Sequence, residues 1–170
     1  MKIVKFLALA AVFTLAACKS TPTTTVSTMN RDIYPDPQQA GPDLAAALKT
    51  AAQTHKRVLL DFGGNWCGDC MVLDLYFHAP GNRPLLDANF VLVDVNIGHM
   101  DANQDIAEKY GVPLDKGVPA LAVLDEKGML LYSQRAGEFE SMRNLQSSAL
   151  TGFLQQWKPG GAGCSTAVNC

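Results

Sequence analysis

Cys67 and Cys70 stand two residues apart in "LLDFGGNWCGDCMVLDLYF", Leu59–Phe77, just where an apolar run gives way to a helical pattern. Such a pair can be a redox couple, half of a metal site or a structural staple. A thiol attacks a disulfide only as its thiolate, and a free cysteine with a pKa near ~8.5 is only a few per cent anionic at neutral pH. A sulfur held at the first turn of a helix faces unpaired backbone N–H groups, which stabilise the anion. Cys70, one turn further on, shares that helix face and can close the disulfide. This spacing makes Cys67 the exposed nucleophile and Cys70 the more buried, resolving thiol. A staple over so short a loop would remove little chain entropy. A zinc site would need a second cysteine pair brought alongside, and no histidine has ligand-like spacing to either pair. The residues favour redox chemistry, with no metal and no organic cofactor.

Five cysteines is an odd number for an exported protein, and the N-terminus accounts for one of them. "MKIVKFLALAAVFTLAAC" places Lys2 and Lys5 before an apolar stretch, Phe6–Ala17, too short to span a bilayer comfortably. That is the layout of a signal peptide over residues 1–17, and Leu15-Ala16-Ala17-Cys18 resembles a bacterial lipobox. The resemblance implies lipidation at Cys18, and Lys19 after it implies outer-membrane sorting. An ordinary cleaved signal is the alternative. Residues 18–42, rich in Thr, Ser and Pro, read as a lipidated start followed by a tether. From Lys19 to Pro42 such a coil reaches about 80 Å stretched but averages about 27 Å. Whether "RDIY" within it packs on the domain is left open by the sequence. Cys164 and Cys170, in the Gly-rich tail 159–170, can close a local disulfide in an oxidising compartment; two unpaired thiols, or pairing with other chains, are the alternatives. The formal charge of −2 gives no electrostatic reason to expect nucleic acid as a partner.

The reactive pair needs elements to hold it. Apolar spacing predicts a helix from Asp43 to about His55, then a buried strand "RVLLDF" ending at Asp61. The helix carrying the cysteines has Met71, Val72, Leu75 and Tyr76 on one stripe and stops at Pro80-Gly81. A helical turn, "NRPLLDA", leads to the strand "NFVLVDVNI". "DANQDIAEKYG" is a helix with Asp101 as cap and Gly111 at its end. "VPALAVLD" and "MLLYSQ" are strands joined by a hairpin, and "SALTGFLQQW" is a closing amphipathic helix. Alternation in the first half implies parallel pairing, and the late hairpin makes the sheet mixed.

This order, with "WCGDC" at the first strand-to-helix junction and "GVP" before the next-to-last strand, resembles thioredoxin-like proteins over about residues 43–158. "VLLDFGGNWCGDC" is similar to the family's strand-Asp-Phe-x-x-x-Trp-Cys-x-x-Cys signature, and the long segment before "VLVDVNI" is similar to periplasmic reductase domains of this type. The resemblance implies an α/β, three-layer fold with a mixed central sheet of about four to five strands flanked by helices. It implies that Asp61 lies behind Cys70 as its proton acceptor, that Pro119 is cis, and that Val118 offers backbone hydrogen bonds to a substrate chain. Trp66, Gly68, Asp69, Val118 and Pro119 are thus the candidate substrate-binding residues. Trp66 is either a flat shoulder beside Cys67 or an ordinary core aromatic.

Several positions depart from the family pattern. Gly68-Asp69 stands where thioredoxins have Gly-Pro, and a carboxylate so near Cys67 opposes its thiolate and makes the couple more reducing, while a plain helix-start role for Asp69 is the alternative. Asp94 occupies the strand where a lysine often accompanies the buried aspartate; two close, buried carboxyls would raise a pKa. Gly63 and Gly64 replace bulkier residues, which predicts a more open surface there. His78 and His99 read as solvated surface residues. The expectation is a lipid-anchored, periplasm-facing thiol–disulfide oxidoreductase acting as a reductant. Disulfide-containing envelope proteins would be its substrates and a membrane reductase its electron donor. A non-enzymatic scaffold lipoprotein and a disulfide oxidase or isomerase are the alternatives.

Overall fold

Strand β1, Arg57–Gly63, is buried at every position, as a short run of Val, Leu and Phe must be when both its faces and both its edges are covered. The computed structural model describes residues 32–165. In it, β1 pairs in parallel with β2 (Phe90–Asn96) and antiparallel with β3 (Ala120–Leu124). Strand β4 (Leu130–Ser133) pairs antiparallel with β3, giving a mixed four-stranded sheet in the order β2-β1-β3-β4. The hairpin between β3 and β4 is made by Asp125, whose carboxylate accepts from Lys127 N–H and Met129 N–H, and by Gly128 at φ +84°.

Alternation along β1 divides the core in two. Val58, Leu60 and Phe62 pack against Leu44, Ala47 and Ala51 of α1 (Ala40–Thr54) and against Ile106 and Ala107 of α4 (Gln104–Lys109). Leu59 faces the other way, onto Leu73 and Phe77 of α2 (Gly68–Phe77), Leu86 of α3 (Arg83–Asn89), and Leu150 and Leu154 of α5 (Ser147–Trp157). Each such side chain contributes roughly 1.5–3 kcal/mol on full burial. By the same alternation Asp61 shares Leu59's face and points at the layer that carries the cysteines.

The order of helices and strands is the expected one, with local differences. Helix α1 begins at Ala40, so Pro42-Asp43 lies inside its first turn, where a missing N–H costs nothing. A 3₁₀ turn, Pro37–Gln39, precedes it, capped by Asp36, and Tyr34 and Ala40 are buried. The folded unit therefore reaches back into the segment expected to be tether. Helix α4 begins at Gln104, not beside Asp101; that carboxylate instead accepts from His99 N–H and closes the preceding loop. On α2 the buried stripe is Cys70, Leu73 and Phe77, while Leu75 is 46% exposed. Cys70 fixes this phase: once its sulfur faces the sheet, the positions three and seven residues on must follow it inward. Cys18 and Cys170 lie outside the described residues; Cys164 falls in the last 3₁₀ turn, Ala162–Ser165, and its side chain is outside them too.

Candidate active site

The reactive pair sits at the carboxyl end of β1, where the chain turns into α2. Cys67 is the N-cap residue of α2, with extended backbone (φ −87°, ψ 110°), and its Sγ accepts from Cys70 N–H at 3.1 Å. An orphan donor of the first helical turn is thus aimed at the sulfur, the arrangement that stabilises a thiolate. Cys67 and Cys70 are joined as a disulfide, their Cα atoms 5.2 Å apart. Cys70 is wholly buried and Cys67 is 6% exposed. The order of exposure is the expected one, but Cys67 is less open than its position at a helix start implies. Ile33, Tyr34 and Val118 pack around the pair and cover it.

Val118 and Pro119 reach the site from the loop before β3. Their peptide bond is cis, and Val118 O lies 3.6 Å from Cys67 Sγ. Gln134, fully buried at the end of β4, braces this loop: its Oε1 accepts from Leu121 N–H at 3.2 Å and its Nε2 donates to Pro119 O at 3.4 Å. Pro113, the other Val-Pro proline, precedes the 3₁₀ turn Leu114–Lys116.

Trp66 is 48% exposed, its indole N–H donating to Gly98 O and its ring stacked on His99 with centroids 6.0 Å apart. It is a surface shoulder beside Cys67, not a core aromatic. Gly63 and Gly64 do not open the surface. A Cβ on Gly63 would meet the Tyr34 phenol and Cys70 Sγ, and one on Gly64 would meet the Trp66 indole. The space that larger residues would take is already filled from elsewhere in the chain.

Asp61 is buried, and its Oδ2 accepts from the Tyr34 hydroxyl at 2.9 Å, while Oδ1 has no hydrogen-bond partner among the described residues. Asp94 stands beside it in the β1–β2 register. Burial pushes the Asp61 carboxyl well above the usual carboxylate range, and the charges of Asp94 and Asp74 push the same way; the bond from Tyr34 opposes them. Asp94 is pushed up to about 7, chiefly by burial and then by Asp74.

Asp69 is paired with Arg143, a residue of the 3₁₀ turn Met142–Asn144. Hydrogen bonds from the Arg143 side chain, more than the backbone bond beside them, hold the Asp69 carboxyl below its ordinary value. The lone negative charge expected beside Cys67 is therefore absent: a cation accompanies it. A Cβ on Gly68 would lie 3.9 Å from the same guanidinium. Among the described residues no group of His, Cys, Asp and Glu is arranged to hold a metal ion.

Tyr34 is the site residue that the sequence left undecided. A Tyr between Ile and Pro, in a stretch otherwise poor in apolar residues, is its one signal: buried aromatics with a polar tip seek a partner, and Asp61 is that partner.

Comparison with known proteins agrees with this arrangement. A family model described as thioredoxin-like matches residues 36–126. A thioredoxin from Pongo abelii is 30% identical over 88 residues, 52% of this chain and 70% of its own length. The crystal structure of a disulphide isomerase from Xylella fastidiosa Temecula1 superposes with a TM-score of 0.68 at 31% identity, covering 72% of this chain and 93% of that one. A thioredoxin from Thermus thermophilus, at 22% identity and a TM-score of 0.52, covers 78% of this chain and 90% of its own, and shares the fold. The chain belongs to the thioredoxin-like family, and in Cys67–Cys70 it carries the redox disulfide of a thiol–disulfide oxidoreductase.

Proposed function

We propose that the protein is a lipid-anchored thiol–disulfide oxidoreductase of the bacterial cell envelope, facing the periplasm from the outer membrane and reducing disulfides of envelope proteins. The observation that carries the reading is the Cys67 sulfur at the N-cap of α2, close against the Val118 carbonyl. In the reduced protein, Cys67 attacks one sulfur of a client disulfide and forms a mixed disulfide, expelling the client's other sulfur as thiolate. The client backbone lies extended along Val118–Pro119, with Trp66 and the Gly68–Asp69 turn as the walls of the cleft. Cys70, deprotonated by Asp61, then attacks Cys67 Sγ and releases the client as a dithiol. Two electrons leave the protein in each cycle, so a membrane dithiol reductase must return them.

The anchor reading is supported by the charged, apolar and small-residue sections of residues 1–18. Cys18→Ser should move the protein from the membrane to the soluble fraction of its host; retention on the membrane would remove the anchor from the proposal.

A second reading, disulfide isomerisation, is favoured by the Arg143 charge beside Asp69 and by the isomerase from Xylella fastidiosa that the chain resembles. Reduction of insulin tests the enzyme itself: Cys67→Ser should abolish turnover, and Cys70→Ala should accumulate mixed disulfides. No turnover by the native chain would return the molecule to a scaffold role, and activity that survives Cys67→Ser would remove Cys67 as the nucleophile. The reduction potential decides direction: a value near thioredoxin's, about −270 mV, supports the reductant, and one near −120 mV reverses it.

A further inference from the structure

We propose that Tyr34 is a positioning residue of the exchange reaction: its hydroxyl holds the Asp61 carboxylate ready to take the Cys70 proton, which makes residues 33–37 a working part of the active site. This rests on the reading of Asp61 as the base for Cys70.

The geometry comes from two sides. Tyr34 is only 2% exposed, and its Oη donates to Asp61 Oδ2 at 2.9 Å. The space above Gly63 is bounded by both the phenol and Cys70 Sγ, so the hydroxyl that holds the buried acid also lies close to the resolving sulfur. The segment is then pinned by three asparagines, Asn65 in the turn between β1 and α2, Asn96 at the end of β2 and Asn103 just before α4. Asn65 exchanges two bonds with the Tyr34 backbone, each 2.9 Å. Asn96 donates to Pro35 O at 2.6 Å, and Asn103 donates to Pro37 O at 2.9 Å. Side-chain amides satisfying an irregular backbone at four places fix the phenol far more firmly than its polar surroundings in sequence would.

The need for such a bond follows from the groups facing Asp61. Asp94 comes from β2, Asp74 from α2 and Tyr34 from the N-terminal segment, while β3 sets the uncharged Leu121 opposite. Asp94 in turn feels Asp43 of α1 and His78 at the end of α2. Tyr34 is the group that offers Asp61 a donor; without it, burial and two acids would push the carboxyl higher still and leave less of it in the basic form. The phenol's own pKa is raised by burial and by Asp61, so it stays a donor throughout.

In the resolving step the Cys70 S–H proton passes to Asp61 Oδ1, the oxygen without a partner. The Cys70 thiolate attacks Cys67 Sγ, and the Cys67–client S–S bond breaks. The electron pair of that bond leaves on the client sulfur, which takes a proton from solvent. The two electrons of the Cys67/Cys70 dithiol end on the client.

The test uses the full chain carrying a preformed mixed disulfide between Cys67 and an aromatic thiol, whose release is followed from pH 5 to 10. Tyr34→Phe keeps the ring and removes the donor. It should slow release about tenfold at pH 7 and move the rising limb up by about one pH unit, with rates converging at high pH. A Tyr34→Phe profile that overlays the native one overturns the inference. Should that variant not fold, Asn65→Ala, which loosens the segment and keeps the phenol, must shift the same limb upward; an unshifted limb is equally fatal. Asp61→Asn separates the two levels. It should flatten the limb, and if it leaves the profile unchanged, the role of Asp61 falls and Tyr34's with it. If Asp61→Asn flattens the limb while Tyr34→Phe changes nothing, only the Tyr34 inference falls.

Discussion

Arg143 grips Asp69 from across the fold, 74 residues away in sequence. Its Nε donates to both carboxylate oxygens at 3.1 Å, its Nη2 to Oδ2 at 2.7 Å, and its backbone N–H to Oδ1 at 2.9 Å. The pair lies one residue from Gly68 and two from the reactive sulfur, so its net charge, and not that of Asp69 alone, is what Cys67 experiences. The guanidinium is exposed and screened by salt, but its departure would leave an unbalanced acid beside the thiol. Arg143→Ala should therefore lower the alkylation rate of reduced Cys67 at pH 7 by about threefold and move the potential in the reducing direction. The double variant with Asp69→Asn should restore both. Alkylation that is unchanged or faster in Arg143→Ala would show that the pair does not tune the thiol.

Gly63 is where two side chains crowd together. Its missing Cβ leaves room for the Tyr34 phenol and Cys70 Sγ, the latter 2.8 Å from where a methyl would sit. Both neighbours are fixed, one by hydrogen bonds and one by the disulfide, so neither can yield cheaply. Gly63→Ala should destabilise the protein by about 1–3 kcal/mol and slow mixed-disulfide resolution as well. Denaturant unfolding and the same release assay check it; native stability would mean that the phenol moves aside freely.

Asp94 carries a pH signature. Its carboxyl is raised to about 7 in the folded chain, against 3.8 as its ordinary value. Between these values the folded state holds a proton that the unfolded state has released, so stability falls as pH rises from about 4 to about 7 and stays low above that. Asp94→Asn removes the penalty. It should raise unfolding stability at pH 8 by on the order of 2 kcal/mol and change little at pH 4. An equal effect at both values would assign the change to packing.

Asn82 joins three helices at the break after α2. It is fully buried; its Nδ2 donates to Tyr76 O at 2.8 Å and to Ser147 Oγ at 3.0 Å, and its Oδ1 accepts from Thr151. Asn82→Ala would strand several of these groups without water. A loss of about 2–3 kcal/mol in denaturant unfolding is expected, with the reduction potential unchanged because the disulfide lies at the other end of α2. A shifted potential would mean that the far end of the helix is felt at its start.

The parts of this molecule legible in the sequence are those encoded locally. Helical and alternating apolar periods gave the order of elements, and the Trp-Cys junction after an apolar strand placed the disulfide at a helix start. What was not legible arises from contacts between distant segments. Nothing near Asp69 indicates that residue 143 will neutralise it. Nothing in a Thr- and Pro-rich stretch says that Tyr34 will reach Asp61, 27 residues on. The buried stripe of α2 is hidden in the sequence because Leu75 and Tyr76 carry the apolar signal, while the position that sets the helix phase is Cys70, whose reason to face inward is chemical.

Tyr34 meets Asp61 from a segment that precedes α1 and every strand of the sheet. Residues 33–37 therefore lie at the rim of the reactive pair, beside Cys67 and Cys70. Traction on the N-terminus would be felt first by the asparagine clasps around Pro35 and Pro37 and by the ring behind them. A visiting protein must share its path to the sulfur with this segment, so residues that come before the first helix help to decide what the reactive pair can reach.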